Sequence, residues 1–549
     1  SEPVEVEIAG DLTVKETTAP ATFAGRVELD GDELRAEVST TVLMSTYDVG
    51  PISISGFVST ADEVGLTFAL IARPTDSPGL APTDELADRP PDDLAAPATG
   101  DGSSSDPADA AAISYASTVQ PILQSHCAAC HNSGGVGAAT VTLDTAGDVA
   151  AISSDIGLVA TSGYMPPWPA GPLSVDFEHD WSLADDDLAD LVAWVEAGGR
   201  LDVDADTPLE PTGDLVREVD ADVVARGQPY TGTPEQLDDY RCQVFDVGES
   251  DVPRWITSFA LDPDQIEIVH HAVYFRAPAS TLPTALAIDA RDEAPGWPCF
   301  GLAGVPGVDQ IGAWAPGQQP KSYPDATGVR FDPGDQLVVQ IHYHYDHDFP
   351  ADHSAVLVDF ASDEEVAAAG GEMTSIDFAT YLAPAEIPCT DDETGPLCDR
   401  DTVIEEVRET FGPFAAVIPD GLIAQCGADL DAMMADTDGV ADASCEHRVS
   451  TPGEIVGIFG HMHELGLRYR MTLNPGTPEE RVLLDIPTWS FEWQFDFRPT
   501  ESIVVGPDDR LLVECTWDRS LVAMPEPRHV TWNEGTDDEM CYSVLATVP

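Results

Sequence analysis

The chain has 549 residues, 43% of them apolar, enough for several buried cores. Lys and Arg number 24 against 99 Asp and Glu, a formal net charge of −75. So acidic a surface repels nucleic acid and anionic membrane and argues against both as partners; it suits high salt, where self-repulsion is screened.

Residues 1–76 carry strand periodicity. Val4-Glu5-Val6-Glu7-Ile8 alternates, and Val64, Leu66, Phe68 and Leu70 share one face. An N-terminal antiparallel β module is expected there. Residues 77–112 are rich in Pro, Asp, Ala, Ser and Gly and read as a disordered linker. Residues 113–205 read as an all-α domain, with Val119, Ile122 and Leu123 at helical spacing. A second amphipathic helix runs from Leu183 to Ala197, with Leu188, Leu191, Val192, Trp194 and Val195 on one side. A short linker from Asp202 to Gly213 leads into a β-rich region, 215–549. Val403–Val407 and Leu430–Met434 read as helices in an insertion at about 389–447.

Ten cysteines are present. Cys127 and Cys130 share one motif, and an even eight remain, which fits disulfides and a secreted or periplasmic location. No run reaches the roughly 18 apolar residues of a membrane helix. The chain starts at Ser1 without a signal peptide and reads as mature or trimmed.

Cys127-Ala128-Ala129-Cys130-His131 is the attachment motif of a c-type haem. Two thiols would add to the porphyrin, and His131 would be the proximal iron ligand. A zinc or redox Cys-x-x-Cys is the bland reading, but the context favours haem. A helix precedes the motif, Tyr164-Met165-Pro166-Pro167-Trp168 follows it, and a closing helix ends the segment. That order resembles a small class I cytochrome c, with Met165 as distal ligand. Met44, His126 and His179 are the rivals. Met44 lies beyond a linker, and His126 is too close to the first haem cysteine to reach across the ring.

Four clusters in the β-rich region carry further ligand types: His270-His271, His342-Tyr343-His344, His461-Met462-His463, and Asp538-Glu539-Met540-Cys541. Each alone has a bland reading, a polar strand pair or a packing Met. Together the three His clusters hold six of the 13 histidines. In a strand, residues two apart face the same way about 6–7 Å apart, so His461 and His463 can converge on one metal. His270 and His271 point to opposite faces, and share a metal only if the strand bends, bulges or ends there. A His-His-Met set suits copper that binds O2, and an all-His set suits copper or zinc.

Region 230–549 resembles the copper type II, ascorbate-dependent monooxygenases, which include the peptidylglycine and dopamine hydroxylating enzymes. The resemblance rests on Tyr240-Arg241-Cys242, His270-His271, Trp297-Pro298-Cys299, Gln340-Ile341-His342-Tyr343, His461-x-His463 with Leu465-Gly466, and Asp538-Glu539-Met540-Cys541. It implies two β-sandwich copper domains of jelly-roll type, 215–365 and 366–549, and so a mainly β multidomain chain. It implies that His270, His271 and His342 hold an electron-storing copper. It implies that His461, His463 and Met540 form the catalytic copper, which takes O2 and hydroxylates a C–H bond of a small substrate. It also implies disulfides Cys242–Cys299 and Cys515–Cys541; Cys389, Cys398, Cys426 and Cys445 leave three pairings open. His344 and His529 read as supports for the ligands. Phe459 stands where the peptide-amidating enzymes carry an Arg, and Tyr542 where they carry an Asn, which points to an apolar or aromatic substrate.

Residues 1–76 resemble the second half of a YceI-type, lipocalin-like barrel, a family that binds isoprenoid lipids; the bland reading is a docking module. The combined expectation is two coppers and one covalent haem c, with the haem relaying electrons from an external reductant or redox protein to the all-His copper. A non-catalytic electron-transfer protein and a zinc hydrolase built on His270, His271 and His342 are the competing readings.

Overall fold

The structure is a computed structural model. It describes residues 4–14, 17–30, 33–43, 46, 53–54, 58–59, 63–72, 113–212, 219–232, 238–299, 303–314, 318, 320–345, 350–413, 415–435, 437–491, 493–522, 524, 526–533, 535 and 537–549. The expected linker 77–112 and Met44 lie outside the described residues. The chain divides into two compact units, Ser1–Ala112 and Ile113–Pro549.

In the first unit, strands Val4–Val14, Thr17–Asp30, Glu33–Leu43 and Glu63–Ala72 form one antiparallel sheet in that order. The expected N-terminal β module is therefore present as a sheet.

The second unit is mainly β. Its first sheet pair combines a five-stranded sheet, ordered Trp297–Pro298, Asp238–Phe245, Gln336–His344, Val269–Ala277, Asp309–Trp314, with a six-stranded one centred on Arg254–Asp262. Phe245, Ile256, Phe259, Tyr274, Val339 and Val358 from both sheets share one core. The second pair sets the sheet containing Asp377–Ala383, Cys541–Val548 and Gly453–His461 against Val440–Arg448, Arg510–Asp518, Gly466–Leu473 and Arg481–Ile486. Arg510–Asp518 shows why: Leu511, Val513, Cys515 and Trp517 are buried, and the residues between them are not.

The eight remaining cysteines all pair: Cys242–Cys299, Cys389–Cys398, Cys426–Cys445 and Cys515–Cys541. The two pairings implied by the resemblance are present, and the open set resolves into local loops around the insertion. Four disulfides fit a secreted or periplasmic protein. Among the described residues, no helix is long and apolar enough to cross a membrane.

Residues 113–212 are helical around Tyr115, Leu123, Leu191 and Trp194. The Asp185–Glu196 helix opens on Asp185, Asp186 and Asp187, which complement its N-terminal dipole, and stops at Gly198 and Gly199, both at positive φ. The expected linker beginning at Asp202 is not free. Asp202 accepts from Ser114 Oγ at 2.5 Å and Ala116 N at 2.9 Å, and Leu209 is buried in the helical core. One apolar side chain and a carboxylate outweigh the composition that suggested a linker.

This helical segment is docked on the second sheet pair. Val175, Phe177 and Trp181 belong to the same core as Phe495, Phe497 and Leu484. Gly171 N donates to Asp485 O at 2.7 Å, and Glu178 N to Arg498 O at 2.8 Å.

Candidate metal and haem centres

The strand Val269–Ala277 pairs with Gln336–His344 with Val269 opposite Tyr343 and His271 opposite His342. His270 is thus the extra residue of a bulge, the distortion that two adjacent histidines need to face one point. His270 Nδ1 lies 3.4 Å from His271 Nδ1, and His342 Nδ1 lies 3.3 Å from the same atom. Metal–nitrogen bonds of about 2.0–2.1 Å at tetrahedral angles separate ligand nitrogens by about 3.3–3.4 Å. His271 Nδ1 carries at most one proton, so it cannot satisfy both neighbours by hydrogen bonding; a cation between the three rings would. Burial and then the charges His342 and His270 would carry hold His271 well below the usual imidazole range, so it is neutral and its lone pair is available. Tyr240 stacks on His342 at 4.2 Å and fixes that ring. His344 lies 6.3 Å from the His270 ring, near the set but outside the triangle.

The second set sits at the end of the strand Gly453–His461. His461 pairs with Tyr542 on the strand Cys541–Val548, two residues past Met540 in sequence. His461 Nδ1 donates to Gln494 Oε1 at 2.6 Å, and His463 Nδ1 to Asp538 O at 2.9 Å. Both rings therefore leave Nε2 for a ligand. Desolvation lowers His461 to about 4 and His463 to about 3. Glu539 ties Met540 to this pair. Its carboxylate accepts from His463 N at 2.9 Å, Leu465 N at 2.6 Å, Met540 N at 3.2 Å and Trp517 Nε1 at 2.9 Å. The Cys515–Cys541 disulfide anchors the residue after Met540.

The two sets lie close together. Phe491 stacks on His270 at 5.2 Å and stands 6.1 Å from His463, so one aromatic ring separates them. Around His461 lie Phe459 (6.3 Å, stacked), Trp489 (6.5 Å) and Tyr542 (6.2 Å). Tyr542 Oη donates to Gln310 Oε1 at 2.6 Å, across to the first sheet pair.

In the helical segment, Cys127 and Cys130 are unpaired in a chain whose other cysteines all pair. Burial, then the Cys130 charge, pushes the Cys127 thiol up to about 12. His131 Nδ1 donates to Val141 O at 3.0 Å, leaving Nε2 for iron. A Cβ at Gly137 would stand 2.7 Å from His131 Nδ1, so the glycine is what admits the ring. These residues fit a haem. His126 Nδ1 contacts Trp181 O at 3.1 Å, and His179 Nε2 lies 3.9 Å from Glu178, so the two histidine rivals of Met165 each have another partner.

His529 does not reach Met540. Its Nε2 donates to the buried Glu386 at 2.6 Å, at the root of the insertion. Sequence reasoning gave no role to Gln494, Glu539 or Phe491. The signal it passed over is Trp489, Phe491, Trp493, Phe495 and Phe497, five aromatics at alternate positions.

No family model and no curated protein matches the chain. Among solved structures it is similar to the VP2 subviral particle of infectious bursal disease virus: 9% identity over 62% of this chain and 75% of that one, TM-score 0.14. It is also similar to an oxalate decarboxylase studied for its substrate binding mode, at 10% identity over 62% and 80%, TM-score 0.10. A Bacillus subtilis oxalate decarboxylase mutant aligns at 9% identity over 59% and 82%, TM-score 0.10. Scores this low carry no argument about fold or function.

Proposed function

We propose that this chain is a copper-dependent monooxygenase that hydroxylates a C–H bond of a small apolar or aromatic substrate with O2, its electrons supplied through a covalent c-type haem. The observation that carries the reading is the pair of histidine sets one ring apart. In the first, three imidazole nitrogens stand at metal-ligand spacing. In the second, both Nδ1 atoms have acceptors, and Glu539 takes the backbone N–H groups of both His463 and Met540.

The finer architecture belongs to the same proposal. The two sheet pairs are copper-binding β-sandwiches, residues 113–212 are a class I cytochrome c domain, and the N-terminal sheet is part of a lipocalin-like module. Copper, when bound, supplies one-electron reduction of O2, and the haem supplies electrons. The protein's own residues do the rest. His270, His271 and His342 hold one copper and His461, His463 and Met540 the other. Cys127, Cys130, His131 and Met165 hold the haem. Gln494 and the Asp538 carbonyl fix the tautomers of His461 and His463. Phe459, Trp489, Phe491 and Tyr542 exclude water and offer aromatic faces to a substrate. Phe459 brings no positive charge for a carboxylate, so an anionic peptide end finds no partner there.

Metal analysis after native purification tests the reading. Two coppers per chain are expected, falling to one in Met540→Ala, and O2 uptake with a reductant and candidate substrates should add one oxygen to the product mass. Zinc at full occupancy overturns it in favour of a hydrolase. Copper and haem without any substrate-dependent O2 uptake would leave an electron-transfer protein.

A further inference from the structure

The alternating aromatics at 489–497 contact both histidine sets and the helical segment. Trp489 Nε1 donates to His463 O at 3.1 Å. Phe491 lies between His270 and His463. Gln494 holds His461. Trp493 meets Tyr164, the neighbour of Met165, edge-on at 6.1 Å. Phe495 packs on Trp181 at 5.6 Å, and Phe497 on Trp168 at 5.3 Å and Phe177 at 4.9 Å. One short segment thus runs from both histidine sets to the face of the helical domain that carries the Met165 loop.

Packing explains Phe495 and Phe497, which sit in the shared core. Trp493 packs against the edge of the same core. Its Nε1, like those of Trp181, Trp255 and Trp532, is buried with no hydrogen-bond partner among the described residues. A Phe would fill the contact without burying an unsatisfied N–H. Gln494, the next residue, bonds to His461 directly at 2.6 Å, whereas the way to the all-His set is a ring contact, Phe491 on His270 at 5.2 Å.

We propose that Phe491, Trp493 and Gln494 are the electron bridge of this chain. Tyr164 and Trp493 form the crossing, and Gln494 to His461 is where electrons arrive, ahead of the all-His set, which Phe491 connects. This rests on the copper and haem reading above. Each crossing moves one electron and no atom. The helical domain's iron is oxidised from Fe(II) to Fe(III), copper at the His461 set is reduced from Cu(II) to Cu(I), and an external one-electron reductant restores the iron.

The test uses the whole chain with copper and haem loaded and oxidised. A photochemical donor reduces the haem in a flash, and its reoxidation is followed optically. A rate independent of protein concentration is expected. Trp493→Leu and Tyr164→Leu should each slow it by about tenfold, with copper content and haem spectrum unchanged, and Trp493→Phe should recover most of the loss. Met540→Ala, lacking one copper, should lose the fast phase. The bridge is overturned if both Leu variants, with full metal content, reoxidise at the parent rate. The arrival point is overturned if the fast phase survives in Met540→Ala. If the loaded parent shows no reoxidation within the chain, the haem is not the donor, a failure of the underlying reading and not of the route. Tyr164→Leu alters the other side of the contact and keeps the test decisive should Trp493→Leu fold poorly.

Discussion

At the scale of single residues, the second histidine set depends on a side chain that binds nothing itself. Glu539 is fully buried, and its carboxylate collects N–H groups from His463, Leu465, Met540 and Trp517. Burial pushes its pKa up to about 8, against the pull of those donors. Glu539→Gln replaces one acceptor oxygen with an NH2 that faces N–H groups. It should destabilise the apo protein by about 1–3 kcal/mol in urea denaturation, the cost of buried donors left unsatisfied. It should also weaken copper at the His461 set while sparing the all-His set, read by copper titration. Parent affinity at both sites would remove Glu539 from the ligand framework. The candidate ligands stood out in the sequence because His and Met carry their chemistry in their identity. Glu539 and Gln494 were not, because their role exists only once distant strands meet; Gln494 is 33 residues from His461. His529 shows the converse: proximity in sequence to Met540 suggested support, and the fold sends its ring to Glu386.

At the scale of elements, adjacency of His270 and His271 foretold a distortion, and the bulge at that point is the form it takes. The insertion was half legible. Apolar spacing marked the helices Arg400–Phe411 and Leu430–Met434. The helix Ile418–Cys426 was not among the expected elements; Pro419 sits in its first turn, where Pro is well placed. What joins the insertion to the sheets is a buried charge cluster. Arg400 donates to Glu386 at 2.9 and 2.6 Å, and His529 and Thr531 bond the same carboxylate. Burial alone would raise Glu386, but the bonds from His529 and Arg400 outweigh it and hold the carboxyl below its usual 4.5. Below that value the unfolded chain therefore binds more protons than the folded one, and this stability is lost as pH falls through the folded pKa. Glu386→Gln leaves the buried Arg400 with only the exposed Asp420 as its anion and should cost about 3 kcal/mol at pH 7. Urea midpoints should also fall less steeply below pH 4.5 in the variant than in the parent. Equal slopes would mean that other carboxylates set the acid limit.

At the scale of the whole molecule, the mainly β character and the helical segment were legible from periodicity, whereas the docking of that segment was not. It depends on Trp168, Phe177 and Trp181 meeting Phe495 and Phe497, contacts without a local pattern. The charge carries the last prediction. Several of the 24 cations are held inside ion pairs: Arg241 with Asp292, Lys321 with Asp496, Arg470 with Asp485, Arg519 with Glu393. Arg241 and Arg519 are nearly buried, and such pairs are screened little by salt. The surplus acid is the part that salt reaches. Raising KCl shortens the screening length from about 10 Å at 0.1 M to about 3 Å at 1 M, which weakens repulsion across the surface and leaves buried pairs nearly intact. Thermal stability should therefore rise with KCl, by about 2–4 °C for each kcal/mol recovered in a domain of this size. Sucrose at matched osmolality separates charge screening from solute exclusion, since it strengthens burial without screening. A larger gain in KCl than in sucrose is expected. A melting temperature that stays level or falls with KCl would mean that attractive surface pairs outweigh the repulsion a net charge of −75 implies.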